Sequence, residues 1–330
     1  MTLYASLGMS KDWEKYTIEP EPVYQEHIFT GDGGVPIFGI YAIPPNAKGT
    51  IVATYGITGT LENQWFLRIL GRKAYQQGMA VVLFDWRAHG KTAELSPQLT
   101  SDGIHEGEDF VQIARQSLLL GCPAPICLFG YSLGGQLALW GIKAAENVSE
   151  IAGGAVICPS LESDRSLTYL MAHPIGKYLE QAISRELRKL AWEMYRHHPT
   201  EFEPSAIKRA TTIWGFDREL VIPRLGFATV QDYYAATSPL YFLEALAKPT
   251  LIIYAADDPL FDPTLAAELA DIAQGKSNID LLLTPHGGHV GYISSKGCQK
   301  LSIDRDPWWG LNRVLEWMQE VMSYQLTVNK

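Results

Sequence analysis

The sequence is poor in cysteine, in net positive charge and in long apolar runs, and each shortage removes a class of protein. Its 330 residues include four cysteines, too few for a disulfide framework at this length. Cys122, Cys127, Cys158 and Cys298 also lack the close pairings of zinc sites, so free thiols are expected and no metal site. Lysine and arginine number 27 against 36 acidic residues, a formal net charge of −9. Nucleic acid and anionic lipid attract concentrated positive charge, so the expected partner is a neutral or apolar small molecule and not a nucleic acid. The longest apolar runs are strand-sized, well short of a transmembrane segment. In the opening stretch MTLYASLGMSKDWEKYTIEP, charges and a proline interrupt the apolar run that a secretory signal requires. A cytoplasmic location is the expectation. Against these shortages stands a 47% hydrophobic composition with 19% charged residues, enough to bury a substantial core.

Short apolar runs alternate with helical patterns along most of the chain. Segments 26–30 and 35–43 read as strands around the glycine-rich turn GDGG. The run 49–55 leads through Gly56-Ile57-Thr58-Gly59 into helical spacing over 62–77, stopped at Gly78. Further strands are expected at 79–85, 125–129, 151–157, 250–255 and 278–284, with helices at 103–120, 133–146, 264–274 and 308–323. Near-continuous apolar strands separated by helices imply a mostly parallel sheet flanked by helices. The alternation breaks between about 160 and 244, where Ile175, Leu179, Ile183, Leu187, Ala191 and Met194 form one helical stripe that Pro199 helps to stop. The expected organisation is an α/β core of residues 1–159 and 245–330, with 160–244 inserted as a helical cap over the strand ends.

The segment ICLFGYSLGGQLALW runs from a strand through Gly130-Tyr131-Ser132-Leu133-Gly134 into a helix. That is the setting of a G-x-S-x-G nucleophile elbow, in which a sharp turn lifts the serine clear of the sheet and glycines make room around it. A serine hydroxyl is a weak nucleophile, so it needs a neutral imidazole to take its proton and a carboxylate to hold that imidazole in the productive tautomer. The strand TLIIYAADDPLFDP supplies Asp258, with Asp257 the second choice and Asp262 a distant third. Turn capping by aspartate is the ordinary role of such a cluster. LLLTPHGGHVGYI supplies His289 in a glycine loop, with His286 as a surface or supporting alternative. The chain order Ser, Asp, His is the one this elbow requires. An oxyanion hole needs two donors. The N–H of Leu133 is the expected first, and Ile57 in the YGITGT turn the second, with Thr58 close behind.

Other clusters read as structural. His89-Gly90-Lys91-Thr92 lacks the glycine at 85 that a phosphate loop needs, and a loop fixed by Arg87 and Lys91 is expected. His105, Glu106, Glu108 and Asp109 suit an acid-rich helix start. His197 and His198 fall at a helix end, and Trp308 and Trp309 are expected to pack the last helix on the sheet.

Taken together, YGITGT, FDWRAHGKT, FGYSLGG, DYYAATSPLYFLEALAKPTLIIYAADDP and HGGHVGYI resemble the YheT-like branch of the α/β-hydrolases across most of the chain after residue 30. The resemblance implies an α/β-hydrolase fold and carboxylesterase activity, in some members on lipid esters. It puts Ser132, Asp258 and His289 at the triad positions and implies no metal or organic cofactor. Tyr55 departs from the pattern, standing where many relatives have histidine. A serine esterase acting on short- to medium-chain or lipid-like esters is therefore expected. Acyl transfer through the same acyl-enzyme and a non-catalytic binding protein on this fold are the alternatives.

Overall fold

The alternating pattern becomes one eight-stranded sheet in the computed structural model, which describes residues 8–328. The first seven residues of the charged opening stretch lie outside the described residues. The strands are β1 (Gln25–Thr30), β2 (Pro36–Ala42), β3 (Thr50–Ala53), β4 (Ala80–Phe84), β5 (Ile126–Tyr131), β6 (Ile151–Ile157), β7 (Thr250–Ala255) and β8 (Ile279–Thr284), in the order β1-β2-β4-β3-β5-β6-β7-β8. β2 runs antiparallel to both β1 and β4, and the remaining neighbours pair in parallel. Every residue of β3 to β7 is buried, whereas the edge strands β1 and β8 mix buried and exposed positions. The near-continuous apolar runs thus mark strands covered on both faces.

The main helices are α1 (Trp65–Gln76), α2 (Gly90–Leu95), α3 (Ile104–Leu119), α4 (Leu133–Ala144), α5 (Ser163–Ala172), α6 (Pro174–His197), α7 (Val230–Thr237), α8 (Thr264–Ala273) and α9 (Trp309–Val328). α1 packs on β4, α4 on β5 and β6, and α9 on β5, β6 and β7. Trp308 is buried at the start of α9 against Trp65, and its indole N–H donates to Thr17. From β3 the chain crosses to β4 on one side, then returns past β3 to β5 on the other. Ligands of open α/β sheets bind at the carboxyl ends of strands where the order reverses in this way.

Two local expectations change. The stretch after His89 is the helix α2, not a loop. The Thr92 hydroxyl donates to the Asp85 carbonyl (2.5 Å) and accepts the Phe38 N–H (2.9 Å), tying that turn to two strands. Arg87 does fix the segment, through two hydrogen bonds to the buried Asp109 at 2.7 and 2.9 Å, while the half-exposed Lys91 ammonium reaches Glu26. The stripe expected on α6 holds only in its second half, at Leu187, Ala191 and Met194. In the first half Gly176, Glu180 and Ser184 are buried instead, and Ile175 is 74% exposed. Glu180 is tolerated inside because its Oε1 accepts from the Ser184 hydroxyl and the Ile213 N–H, both at 2.7 Å. The helices between β6 and β7 build their own apolar cluster around Leu167, Leu187, Met194 and Val221, which also takes in Ala88, Ala93 and Leu99.

Candidate active site

β5 ends at Tyr131 and α4 begins at Leu133, so one residue turns the chain. Ser132 does so at φ 56° and ψ −130°, a conformation that a non-glycine residue keeps only when its surroundings enforce it. Its N–H donates to the Ile157 carbonyl (3.0 Å), and its own carbonyl accepts the Gly135 N–H (2.9 Å). A Cβ at Gly130 would lie 1.9 Å from the Gly134 carbonyl oxygen, and one at Gly134 would lie 2.2 Å from that of Tyr55. The glycine spacing around Ser132 is therefore a steric requirement of this turn.

Two loops from neighbouring strands meet the serine. His289, five residues beyond the end of β8, directs Nε2 to Ser132 Oγ at 2.8 Å and Nδ1 to Asp258 Oδ2 at 2.7 Å. Asp258 follows β7, its side chain only 2% exposed, and its Oδ1 accepts the Leu260 N–H (2.9 Å). A buried carboxylate on Nδ1 keeps the proton on that nitrogen and leaves Nε2 free to accept one from the serine. Phe261 meets the His289 ring edge-on, with centroids 5.2 Å apart.

The neighbouring acids divide the work. Asp257 Oδ1 accepts the N–H groups of Gly287 (2.9 Å) and Gly288 (2.7 Å), and Oδ2 pairs with the exposed His286. Burial alone would raise the Asp257 pKa, but these donors outweigh it and hold the carboxyl below its ordinary range. Asp257 thereby anchors the loop that carries His289. Asp262 accepts from the Thr264 N–H at the start of α8, a turn-capping role.

The turn after β3 lies against the serine: a Cβ at Gly56 would come within 2.9 Å of Ser132 Cβ. Of its two candidate donors, Thr58 is already committed, its N–H donating to His89 Nε2 at 3.1 Å. His89 Nδ1 bonds the Arg87 carbonyl (2.9 Å), the ring stacks on Trp86, and burial pushes its pKa down to about 4. The imidazole is thus neutral and accepts from Thr58. The N–H groups of Ile57 and Leu133 have no partner among the described residues. Tyr55, at the position where the resemblance departs, sends its hydroxyl to the buried Asp85 (2.5 Å), which also accepts the N–H groups of Leu61 (2.8 Å) and Lys91 (2.9 Å). The tyrosine therefore secures the same turn through a carboxylate on β4's end.

Ser132 opens on two spaces. One, about 910 Å³ including its mouth, is walled largely by Trp86, Leu167, Leu170, Leu187, Phe216 and Phe261. The other, about 860 Å³, is bordered by Gln64, Trp65, Phe66, His289 and Val290. Ile57, Ile183 and Leu260 border both. Leu260 and Phe261 escaped the sequence reading, although they directly follow Asp258-Pro259. Cys158, expected as a free thiol, also lies beside Asp258. All four cysteines are free, and Cys158 Sγ lies with Asp258 and His289 in a group of potential ligand atoms within 4.8 Å of one another. Both ring nitrogens of His289 already bond Asp258 and Ser132, so an ion there would have to displace those contacts.

The clusters read as structural are engaged elsewhere. Glu106 accepts the Ser101 and Gly103 N–H groups, His105 pairs with Asp32, and His198 bonds the Ala93 carbonyl. Among the described residues no helix is long and apolar enough to cross a membrane.

Comparison with known proteins agrees with this architecture. A family model described as alpha/beta hydrolase fold matches residues 49–296. The chain is 50% identical over 97% of its length to "Putative esterase slr0264" of Synechocystis, covering 91% of that protein. It is 26% identical over 82% of its length to "Putative esterase YheT" of Escherichia coli, covering 76% of it. Among solved structures, the Pyrococcus furiosus esterase Pf2001 superposes with a TM-score of 0.59 over 91% of each chain at 18% identity.

Proposed function

The chain belongs to the α/β-hydrolase family, as a YheT-like member, and from that premise we propose that it is a serine hydrolase of carboxylic esters. Ser132 Oγ attacks the ester carbonyl carbon while His289 Nε2 takes the hydroxyl proton. Asp258 stabilises the resulting imidazolium and keeps it oriented. The oxygen that gains charge is held by the N–H groups of Leu133 and Ile57, each contributing roughly 3 kcal/mol to the transition state. The Leu133 donor also sits at the positive end of α4. Collapse returns the proton from His289 to the departing alcohol and leaves an acyl group on Ser132. Water, deprotonated by the same imidazole, then attacks the acyl carbon and releases the acid.

The observation that carries this reading is the unbroken contact chain from Ser132 to His289 (2.8 Å) to Asp258 (2.7 Å). Residues 160–244 act as a helical cap on the core formed by 1–159 and 245–330. The space walled by Trp86, Leu167 and Phe216 beneath the cap receives the acyl chain, and the space beside Trp65 and Val290 receives the alcohol. Apolar walls favour medium-chain or lipid-like acyl groups. The test is labelling with a fluorophosphonate together with turnover of p-nitrophenyl esters of graded chain length. Native protein should do both and Ser132→Ala neither. Labelling that persists in Ser132→Ala would defeat the assignment.

A further inference from the structure

The cavity assigned to the acyl chain has two acids in its wall that ester hydrolysis leaves unused. Asp102, in the turn before α3, and Asp217, in the helical turn Asp217–Val221 between β6 and β7, are 7% and 6% exposed and both line the space. Hydroxyls already stand against both: Thr100 donates to Asp102 Oδ1 at 3.3 Å with the Tyr233 hydroxyl also beside Asp102, and Tyr234 donates to Asp217 Oδ2. Neither forms an ion pair among the described residues, and no lysine or arginine lines the cavity. His89 does line it, but both of its ring nitrogens are occupied. Burial foremost, then the charge of Glu106 for Asp102 and that of Asp102 for Asp217, holds both carboxyls above their ordinary range. Burial of this kind favours the neutral carboxyl, which carries both a hydrogen-bond donor and an acceptor.

A further polar group belongs to the same wall. Ser166 on α5 is 3% exposed and lines the cavity, and its hydroxyl has no hydrogen-bond partner among the described residues. A buried hydroxyl left unpaired costs about 1–3 kcal/mol, and a plain alkyl chain would leave it so. We infer that this cavity selects an acyl chain bearing a neutral hydroxyl, which Asp102 and Asp217 bind by donating and accepting together, so that the substrates are hydroxyacyl esters. The inference rests on the hydrolase reading. An ammonium group is the weaker fit, because it would require ionised acids in a wall that is otherwise mostly apolar.

The test uses the full chain and p-nitrophenyl acyl esters of increasing length, each length in three forms: plain alkyl, terminal hydroxyl and terminal ammonium. At one or more lengths the hydroxyl ester should exceed its plain counterpart in kcat/KM by roughly tenfold. Asp217→Leu and Asp102→Gly should each bring that ratio towards one, the plain ester serving within each variant as the reference for folding and chemistry. Glycine suits position 102 because its φ is 49°. A ratio at or below one at every length overturns the inference, as does a preference for the ammonium ester or a ratio unchanged in both variants. If plain esters are cleaved in a Ser132-dependent way without hydroxyl preference, this inference alone fails. If no ester is cleaved, the hydrolase reading fails with it.

Discussion

The sheet and the helices between β6 and β7 use the same apolar residue types, but one fills its interior and the other borders a space. In β3 to β7 every residue is buried, and the loops at the strand ends are tied down by Asp85, Asp257 and His89. Between β6 and β7, Leu167, Leu170 and Leu187 instead line the space beside Ser132, about 910 Å³ including its mouth. Close packing holds side chains to one arrangement, which suits groups that must meet within hydrogen-bond distance. A bordered space suits selection of what reaches them. Substitutions in the loops at the strand ends should therefore weaken reaction with every ester alike, and substitutions in the helices between β6 and β7 should change the preference among esters.

The sharpest test of that contrast is Asp258→Asn, which should lower kcat by about 10⁴-fold on all esters because the imidazole loses its orienting charge. Asp257→Asn should cost less than about tenfold, since Asp257 holds the loop and not the ring. Steady-state kinetics on both would reverse the assignment if Asp257→Asn proved the more damaging. Next in size is Gly134→Ala, whose Cβ would land 2.2 Å from the Tyr55 carbonyl oxygen. By pushing the YGITGT turn from α4 it should reduce kcat by roughly 10²–10³-fold. Wild-type kcat, with circular dichroism confirming the fold, would show that the two donors need not converge.

A third effect is on stability. The folded pKa of His89 is depressed to about 4 by burial, below the roughly 6.5 of an unfolded histidine. As pH falls from about 6.5 to about 4, the unfolded chain binds a proton that the folded one refuses, so stability declines by about 3 kcal/mol and then levels off at this site. Urea titrations across that range should show this component vanish in His89→Gln, where the amide oxygen still accepts the Thr58 N–H. An identical acid slope in the variant would place the titration elsewhere. The smallest expected effect belongs to the helices between β6 and β7: Leu187→Phe should narrow the cavity and lower the long-chain to short-chain kcat/KM ratio by about tenfold. A uniform loss across chain lengths would break the contrast between the two regions.

Local pattern sufficed for the order of elements, because period-2 and period-3.6 spacing report burial directly. It misjudged the first half of α6, since Glu180 is buried through contacts with Ser184 and Ile213, the second of which is 33 residues away. The elbow was legible because a turn at φ 56° flanked by touching backbones admits little but glycine on either side. Asp258 and His289 were legible as an ordered pair after successive strands. Pattern alone left Asp257 beside Asp258, and Thr58 beside Ile57. Those choices depend on contacts between residues distant in sequence: which carboxylate faces the His289 ring, and which N–H is already taken by His89. The meeting of Asp102 and Asp217 in one cavity wall has the same character. Neighbours in sequence determine the backbone they can form, but a hydrogen-bond partner or a shared cavity wall exists only once the sheet has brought separate loops together.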